Sequence, residues 1–311
     1  MSKFCKVGII GAGHVGMHVA SMLLSRNISN EIVIIDINRE KANGQAADLA
    51  DVAAYQNSTC KVYVGDYTQI ADASYIVISV GGKLFDENRL EEWKETKKLI
   101  DDIAPKIQGS GFNGIVISIT NPCDLVAYYL NSKIDAKVIG SGTMLDSARF
   151  RRRLADVLNI NVKSVQAWCI GEHGDSQVLV WSKVHIDGIA LDEYINNKNI
   201  DVEQIKKAVT KSTVYAGWEI ATAKGSTEFG IGMAASELFK NIEENSGMIL
   251  PCSVPLNGEY NQKDIYASVL CYVDSNGAKP LKNIKLQEEE LRAFCDSCNI
   301  IRRYLFERQN L

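Results

Sequence analysis

No apolar run in the 311 residues approaches the length of a membrane-spanning helix. Stretches such as 75–80 and 114–119 are strand-sized, whereas a helix needs about 20 residues to cross a bilayer. Positive charge is not in excess either. Lys and Arg number 34 against 38 Asp and Glu, a net charge of −4, which argues against nucleic acid or an anionic membrane surface as a partner. There is no Pro- or Ser-rich linker, no internal repeat and no low-complexity tract. The eight cysteines follow no regular framework, which points to reduced thiols in a cytoplasmic protein. Cys295 and Cys298 form a lone CxxC, but they sit within the pattern Leu291, Phe294, Cys298, Ile301, Leu305, the apolar face of a C-terminal helix. With no second ligand pair, and only four histidines that do not cluster (His14, His18, His173, His185), no metal site is expected. The first strand begins by residue 5, which predicts no signal peptide.

What is present is an ample core, with 46% of residues hydrophobic, enough for two lobes. Residues 5–10 (CKVGII) read as a buried strand running directly into Gly11-Ala12-Gly13-His14-Val15-Gly16. A helical pattern through Val19, Met22 and Leu23 follows, and a second apolar run ends on Asp36, 20 residues beyond Gly16. Strand, glycine turn, helix, strand and terminal acid in one βαβ unit form a dinucleotide-binding signal far stronger than three glycines alone. Gly11 permits the tight turn, Gly13 lets the backbone approach a pyrophosphate, and Gly16 lets the helix pack close to the strand. Asp36 is placed to bond both ribose hydroxyls and to repel a 2′-phosphate, favouring NAD over NADP.

Further strands are predicted at 61–64, 75–80, 115–120 and 137–139, with helices around 15–24, 39–54, 87–107 and 122–130. Six strands with crossovers describe an α/β fold, a doubly wound parallel sheet with ligands at the strand carboxyl ends. After about residue 141 the pattern changes. Hairpin-like segments at 178–184 and 265–274 mix with longer helices near 202–224 and 286–308. The reading is therefore a nucleotide-binding domain over 1–141 and an α+β catalytic domain over 142–311, sharing a broad interface with the site in its crevice.

In that second part, Asp146 and Arg149 lie three residues apart in GSGTMLDSARF, and Gly171-Glu172-His173-Gly174-Asp175 begins 22 residues after Arg149. Residues i and i+3 share a helix face, so a carboxylate and a guanidinium project together. A histidine beside that carboxylate has a fixed tautomer and carries protons. The guanidinium is left to hold a carboxylate through two parallel hydrogen bonds. This constellation suits chemistry at the carbon next to a carboxylate.

Along essentially its whole length, from GAGHVG through IGSGTMLDSARFR and GEHGDS to the terminal helix, the sequence resembles the lactate/malate dehydrogenase family. The resemblance implies that His173 exchanges a proton with the substrate oxygen while NAD exchanges a hydride with the carbon. It implies that Asp146 orients His173 and that Arg149 clamps the substrate carboxylate. Asn121, in Asn121-Pro122, corresponds to a residue that helps hold the substrate carbonyl and the nicotinamide region. Arg89 takes the place of an arginine that polarises the carbonyl when a loop closes over the site. Thr227 matches a pocket-wall position. Oligomers of this family are dimers or tetramers, and a homotetramer or homodimer is implied, without the N-terminal arm of some tetrameric members.

The loop 81–89 (GGKLFDENR) departs from the family pattern. Counted back from Arg89, the position that reads the substrate side chain falls on Lys83. Lactate-type members usually carry a neutral amide there and malate-type members an arginine. A shift by one residue places Leu84 there instead, suiting the larger aliphatic substrates of hydroxyisocaproate dehydrogenases. The expectation is an NAD-dependent L-2-hydroxyacid dehydrogenase with lactate as its first substrate label. Larger aliphatic 2-hydroxy acids and malate stay open, as does a catalytically silent structural protein of the same fold. Arg151 matches one residue of the fructose-bisphosphate site of bacterial lactate dehydrogenases, but Gln166 replaces the histidine completing it, which argues against activation by that sugar phosphate.

Overall fold

Five consecutive buried residues form strand β1 (Lys6–Ile10), as befits a strand covered on both faces in the middle of a parallel sheet. The structure, a computed structural model, describes residues 4–56, 58–81, 89–196, 201–282 and 284–306, with the backbone alone for 89–91. After β1 come α1 (His14–Ser25), β2 (Glu31–Ile35), α2 (Arg39–Tyr55), β3 (Lys61–Val64) and β4 (Tyr75–Ile78). Then follow α3 (Arg89–Gly109), β5 (Ile115–Ser118), α4 (Cys123–Asn131) and β6 (Lys137–Gly140). Every pairing among these strands is parallel, in the order β3-β2-β1-β4-β5-β6. At its centre Ile9 sits beside Ile34 on one side and Val77 on the other. This is the doubly wound sheet read from the sequence, and its strand order reverses between β1 and β4, beside the glycine turn.

The chain continues through α5 (Met144–Leu158), β7 (Val165–Gln166), β8 (Cys169–Ile170), β9 (Val178–Leu179), β10 (His185–Ile186), β11 (Ile189–Ala190) and α6 (Leu191–Ile195). It then forms α7 (Val202–Lys224), α8 (Phe229–Glu243), β12 (Met248–Asn257), β13 (Lys263–Asp274), β14 (Gly277–Pro280) and α9 (Glu288–Phe306). Two compact units result. The first comprises 1–141, 227–248 and 272–279, and the second 142–226, 249–271 and 280–311. The second half of the chain thus contributes to both.

In the first unit α8 packs along α1. A Cβ on Gly232 would lie 3.2 Å from the His18 backbone, so this glycine permits the close approach. Arg26 at the end of α1 donates to Ser236 Oγ (2.8 Å) and Glu237 Oε2 (2.7 Å) on α8. In the second unit the core gathers Phe150, Leu154, Val165, Cys169, Leu179, Ile186, Leu191 and Val209. The apolar run 178–184, read as hairpin strand, departs from that reading. Only Val178 and Leu179 pair as β9, with β8, and residues Trp181–Lys183 turn into a 3-10 helix. The reason is remote in sequence: the Ser182 backbone N and Oγ both donate to the Glu290 carboxylate of α9, at 2.8 and 2.6 Å. Among the described residues no helix is long and apolar enough to cross a membrane.

Candidate active site

The turn after β1 is built around glycines that the geometry requires. Gly11 has φ +107°, and a Cβ there would lie 2.2 Å from the Ser79 carbonyl oxygen, so no side chain fits. A Cβ on Gly16 would lie 2.3 Å from the Gly11 oxygen, which shows how tightly α1 is set on the turn. Gly13, the N-cap of α1, behaves differently: a Cβ there meets nothing within 4 Å. The outer side of the turn is therefore open backbone at a helix N-terminus with no acidic residue in its first turn, a cradle that fits a pyrophosphate. Asp36, just past β2, is tied to this cradle. Its Oδ2 accepts from Ala12 N at 2.6 Å and its Oδ1 from Asn38 N at 2.8 Å. Each oxygen retains lone-pair capacity for a further donor. Asn121 follows β5, at a carboxyl end of the sheet, with an exposed side chain and a backbone oxygen that accepts from Thr96 Oγ1 at 3.1 Å.

In the second unit an imidazole and a guanidinium share one buried carboxylate. On α5, Asp146 is 1% exposed, and each of its oxygens has one cationic or imidazole partner. Oδ2 lies 2.6 Å from His173 Nδ1, and Oδ1 accepts from Arg149 Nη1 at 2.9 Å. Burial works to raise the Asp146 pKa, but the charges and hydrogen bonds of His173 and Arg149 outweigh it and hold the carboxyl below its usual range. An ionised carboxylate only accepts, so Nδ1 carries the ring proton in the pair and Nε2 is the nitrogen of the neutral ring that exchanges. His173, between two glycines, keeps about a fifth of its side chain exposed. Burial pushes the Cys169 thiol well up, so it stays a neutral neighbour.

Arg149 is buried to 8% exposure, and Gly217 of α7 lies against its head. A Cβ on Gly217 would be 3.5 Å from Nη1. Glycine inside a helix costs roughly 0.5–1 kcal/mol relative to alanine, and an alanine Cβ here would stand at ordinary van der Waals distance from the guanidinium. Arg151 donates from Nη1 to the Ala167 oxygen at 3.3 Å, while Gln166 is exposed on β7.

His173, Asp146 and Arg149, singled out in the sequence, come together in one hydrogen-bonded group. Gly11, Gly13, Gly16 and Asp36 come together in another, within the first unit. Thr227 is half-buried between α7 and α8. Arg89 is the first residue of α3, its side chain outside the described residues, and Lys83 and Leu84 also lie outside them. Sequence reading missed the hydroxyls that frame the dyad. Thr143 Oγ1 donates to the Cys169 oxygen (2.6 Å), Ser147 Oγ accepts from Cys169 N (2.8 Å), and Ser268 Oγ accepts from Thr143 N (3.1 Å). The backbone of Ser268 also pairs with Gly171. Serines and threonines at such separations carry no local pattern that would betray them.

Residues 5–140 match the NAD binding domain of the lactate/malate dehydrogenase family, and residues 143–307 match its alpha/beta C-terminal domain. The chain belongs to the lactate/malate dehydrogenase family and is an NAD-dependent oxidoreductase acting on small 2-keto and 2-hydroxy acids. Among its relatives, the L-lactate dehydrogenase of Fusobacterium nucleatum subsp. nucleatum is 38% identical over 304 residues, covering 96% of each chain. The structure of the minor L-lactate dehydrogenase from Enterococcus mundtii superposes with a TM-score of 0.93 at 32% identity, covering 99% of both chains. The malate dehydrogenase of Cryptosporidium parvum superposes with a TM-score of 0.93 at 28% identity, covering 99% of this chain and 100% of that one.

Proposed function

We propose that this protein interconverts pyruvate and L-lactate, with His173 as proton carrier, Asp146 as its orienting partner and Arg149 as the carboxylate clamp. The observation carrying this reading is the Asp146-centred group, in which one buried carboxylate fixes both an imidazole and a guanidinium. When bound, NAD supplies the hydride acceptor, and NADH the hydride. The chain's part is to hold and move a proton. In keto-acid reduction His173 gives its Nε2 proton to the forming alkoxide, and the ionised Asp146 stabilises the imidazolium that precedes the transfer. Arg149 orients the substrate through its carboxylate. Asn121, Arg89 and Thr227 are assigned to the carbonyl and pocket wall by family resemblance, and Lys83 or Leu84 to the reading of the substrate side chain. The same resemblance supports a cytoplasmic homotetramer or homodimer, with nucleotide binding assigned to 1–141 and substrate binding to 142–311.

Gly11, Gly13, Gly16 and Asp36 are assigned to NAD. Removing the Asp36 carboxylate takes away a ribose acceptor and the charge that repels a 2′-phosphate, so Asp36→Ala is expected to weaken NADH binding and raise the relative kcat/KM for NADPH at least tenfold, about 1.4 kcal/mol. Initial rates with both cofactors check this, and an unchanged NADH/NADPH ratio removes Asp36 from the site.

A second reading, a longer aliphatic 2-keto acid, rests on the loop register that places Leu84 at the reading position. Comparison of kcat/KM for pyruvate, 2-ketoisocaproate and oxaloacetate tests the choice. Pyruvate is expected to lead and oxaloacetate to trail, because burying a second carboxylate without paired donors costs several kcal/mol. If 2-ketoisocaproate leads, the longer substrate is correct. If oxaloacetate leads in the wild type and loses its lead in Lys83→Gln, Lys83 is a malate-type reader and the lactate assignment is wrong.

A further inference from the structure

The segment 171–176 carries His173 on a short excursion between β8 and β9, and such loops drift unless something holds them. On one side the hold is the backbone pairing with Ser268: Gly171 N donates to Ser268 O (2.8 Å) and Ser268 N to Gly171 O (2.9 Å). On the other side lies Ser297, fully buried in α9. Its Oγ accepts from Glu172 N at 2.8 Å and sits 3.0 Å from Ser176 Oγ. Ser176 Oγ in turn donates to Glu172 Oε2, and Ser176 N approaches the same oxygen at 3.3 Å.

Counting protons settles the direction of this network. The carboxylate can only accept, so the single Ser176 hydroxyl proton goes to Glu172. The Ser297 hydroxyl proton must then go to Ser176 Oγ, while Ser297 Oγ receives the Glu172 N–H. The result is a closed ring: Ser297 to Ser176, Ser176 to the Glu172 carboxylate, and the Glu172 backbone back to Ser297. The ring straddles His173, with members on the residue before it and the third residue after it. Space is as restrictive as the bonding. A Cβ on Gly171, whose φ is +87°, would lie 2.6 Å from Ser297 Oγ, so Gly171 and Ser297 occupy adjoining volume with nothing to spare.

We infer that Ser297 is a positioning residue for His173, acting through the backbone of Glu172 to hold the imidazole at bonding distance from Asp146. The ring anchors the His173 segment to α9, and α9 is itself pinned at its start, where Glu290 takes both Ser182 donors. Asp146 is placed by α5, whose first residues are tied to β8 through Thr143 and its bond to Cys169. Cys169 and Ser268 serve both partners of the His173–Asp146 bond, whereas Ser297 holds the histidine segment from beyond His173 as well as before it, through Ser176 and Glu172. Small misplacements of a reacting group, on the order of 1 Å, lower rates by up to about 10²-fold.

The inference rests on the proposed role of His173, so its test reads the imidazole directly as well as turnover. In full-length Ser297→Ala, NMR titration of the ¹⁵N-labelled His173 ring is expected to show the midpoint moving to lower pH by about half a unit or more, because a slackened Asp146 bond favours the imidazolium less. Turnover of pyruvate is expected to fall about tenfold, with KM and NADH binding within about twofold of wild type. A His173 midpoint and a kcat both matching wild type overturn the inference, even if the melting temperature falls. Should Ser297→Ala fail to fold, Ser176→Ala opens the same ring from the loop side. It is expected to move the midpoint in the same direction, and no movement there overturns the inference. A midpoint that shifts in an enzyme inert toward every keto acid leaves the inference standing and rejects the proposed function instead.

Discussion

His173→Asn is expected to lower kcat for keto-acid reduction by at least three orders of magnitude, while NADH still binds with wild-type affinity. The asparagine amide keeps a donor for Asp146 Oδ2, so the buried carboxylate is not stranded and the fold around α5 survives. What is lost is a group able to hold and release a proton near neutral pH. General acid catalysis by a positioned side chain is worth roughly 10²–10⁴-fold, and the upper part of that range is expected here. NADH binding, followed by its fluorescence and assigned above to the glycine turn and Asp36, is expected to stay within about twofold. Residual turnover above about 1% of wild type would place the proton carrier elsewhere.

Arg149→Lys has the second-largest expected effect, and on a different kinetic constant. The guanidinium gives one N–H to Asp146 and has a fork of donors remaining for a substrate carboxylate. A lysine ammonium is a point charge that cannot satisfy both partners with the same planar geometry. Losing a charge-assisted bond costs about 1.5–3 kcal/mol, or roughly 10- to 150-fold. The loss is expected mainly in KM, because the carboxylate is held equally in the ground and transition states. A KM for every keto acid within about threefold of wild type, under 1 kcal/mol, would remove Arg149 from the clamp.

Much of the first unit was legible because its signals are local. The turn Gly11–Gly16 lies between consecutive strands, and the nearest atom excluding a side chain at Gly16 belongs to Gly11 itself, although at Gly11 the excluding atom is the remote Ser79 oxygen. The strands over 61–64 and the helix over 202–224 begin and end where periodicity placed them. The Asp146–Arg149 pairing was readable for the same reason, since three residues on a helix determine a shared face. The parts that were not legible depend on residues distant in sequence. Residues 181–183 abandon strand geometry because Glu290, more than a hundred positions later, captures Ser182. Helix α8 lies outside the elements expected from the sequence, although Ala235, Leu238, Phe239 and Ile242 repeat at helical spacing. Its assignment to the first unit depends on Gly232 meeting His18 and on Arg26 reaching Glu237. The serine ring behind His173 had no signal at all, because Ser176 and Ser297 look like any other serines until the chain is folded.

The measurement that bears most directly on the account follows purified protein with NADH and pyruvate, with the product resolved by chirality. Loss of NADH absorbance in a 1:1 ratio with the appearance of L-lactate is expected. The D-product, or no NADH oxidation with pyruvate, 2-ketoisocaproate or oxaloacetate, would contradict it.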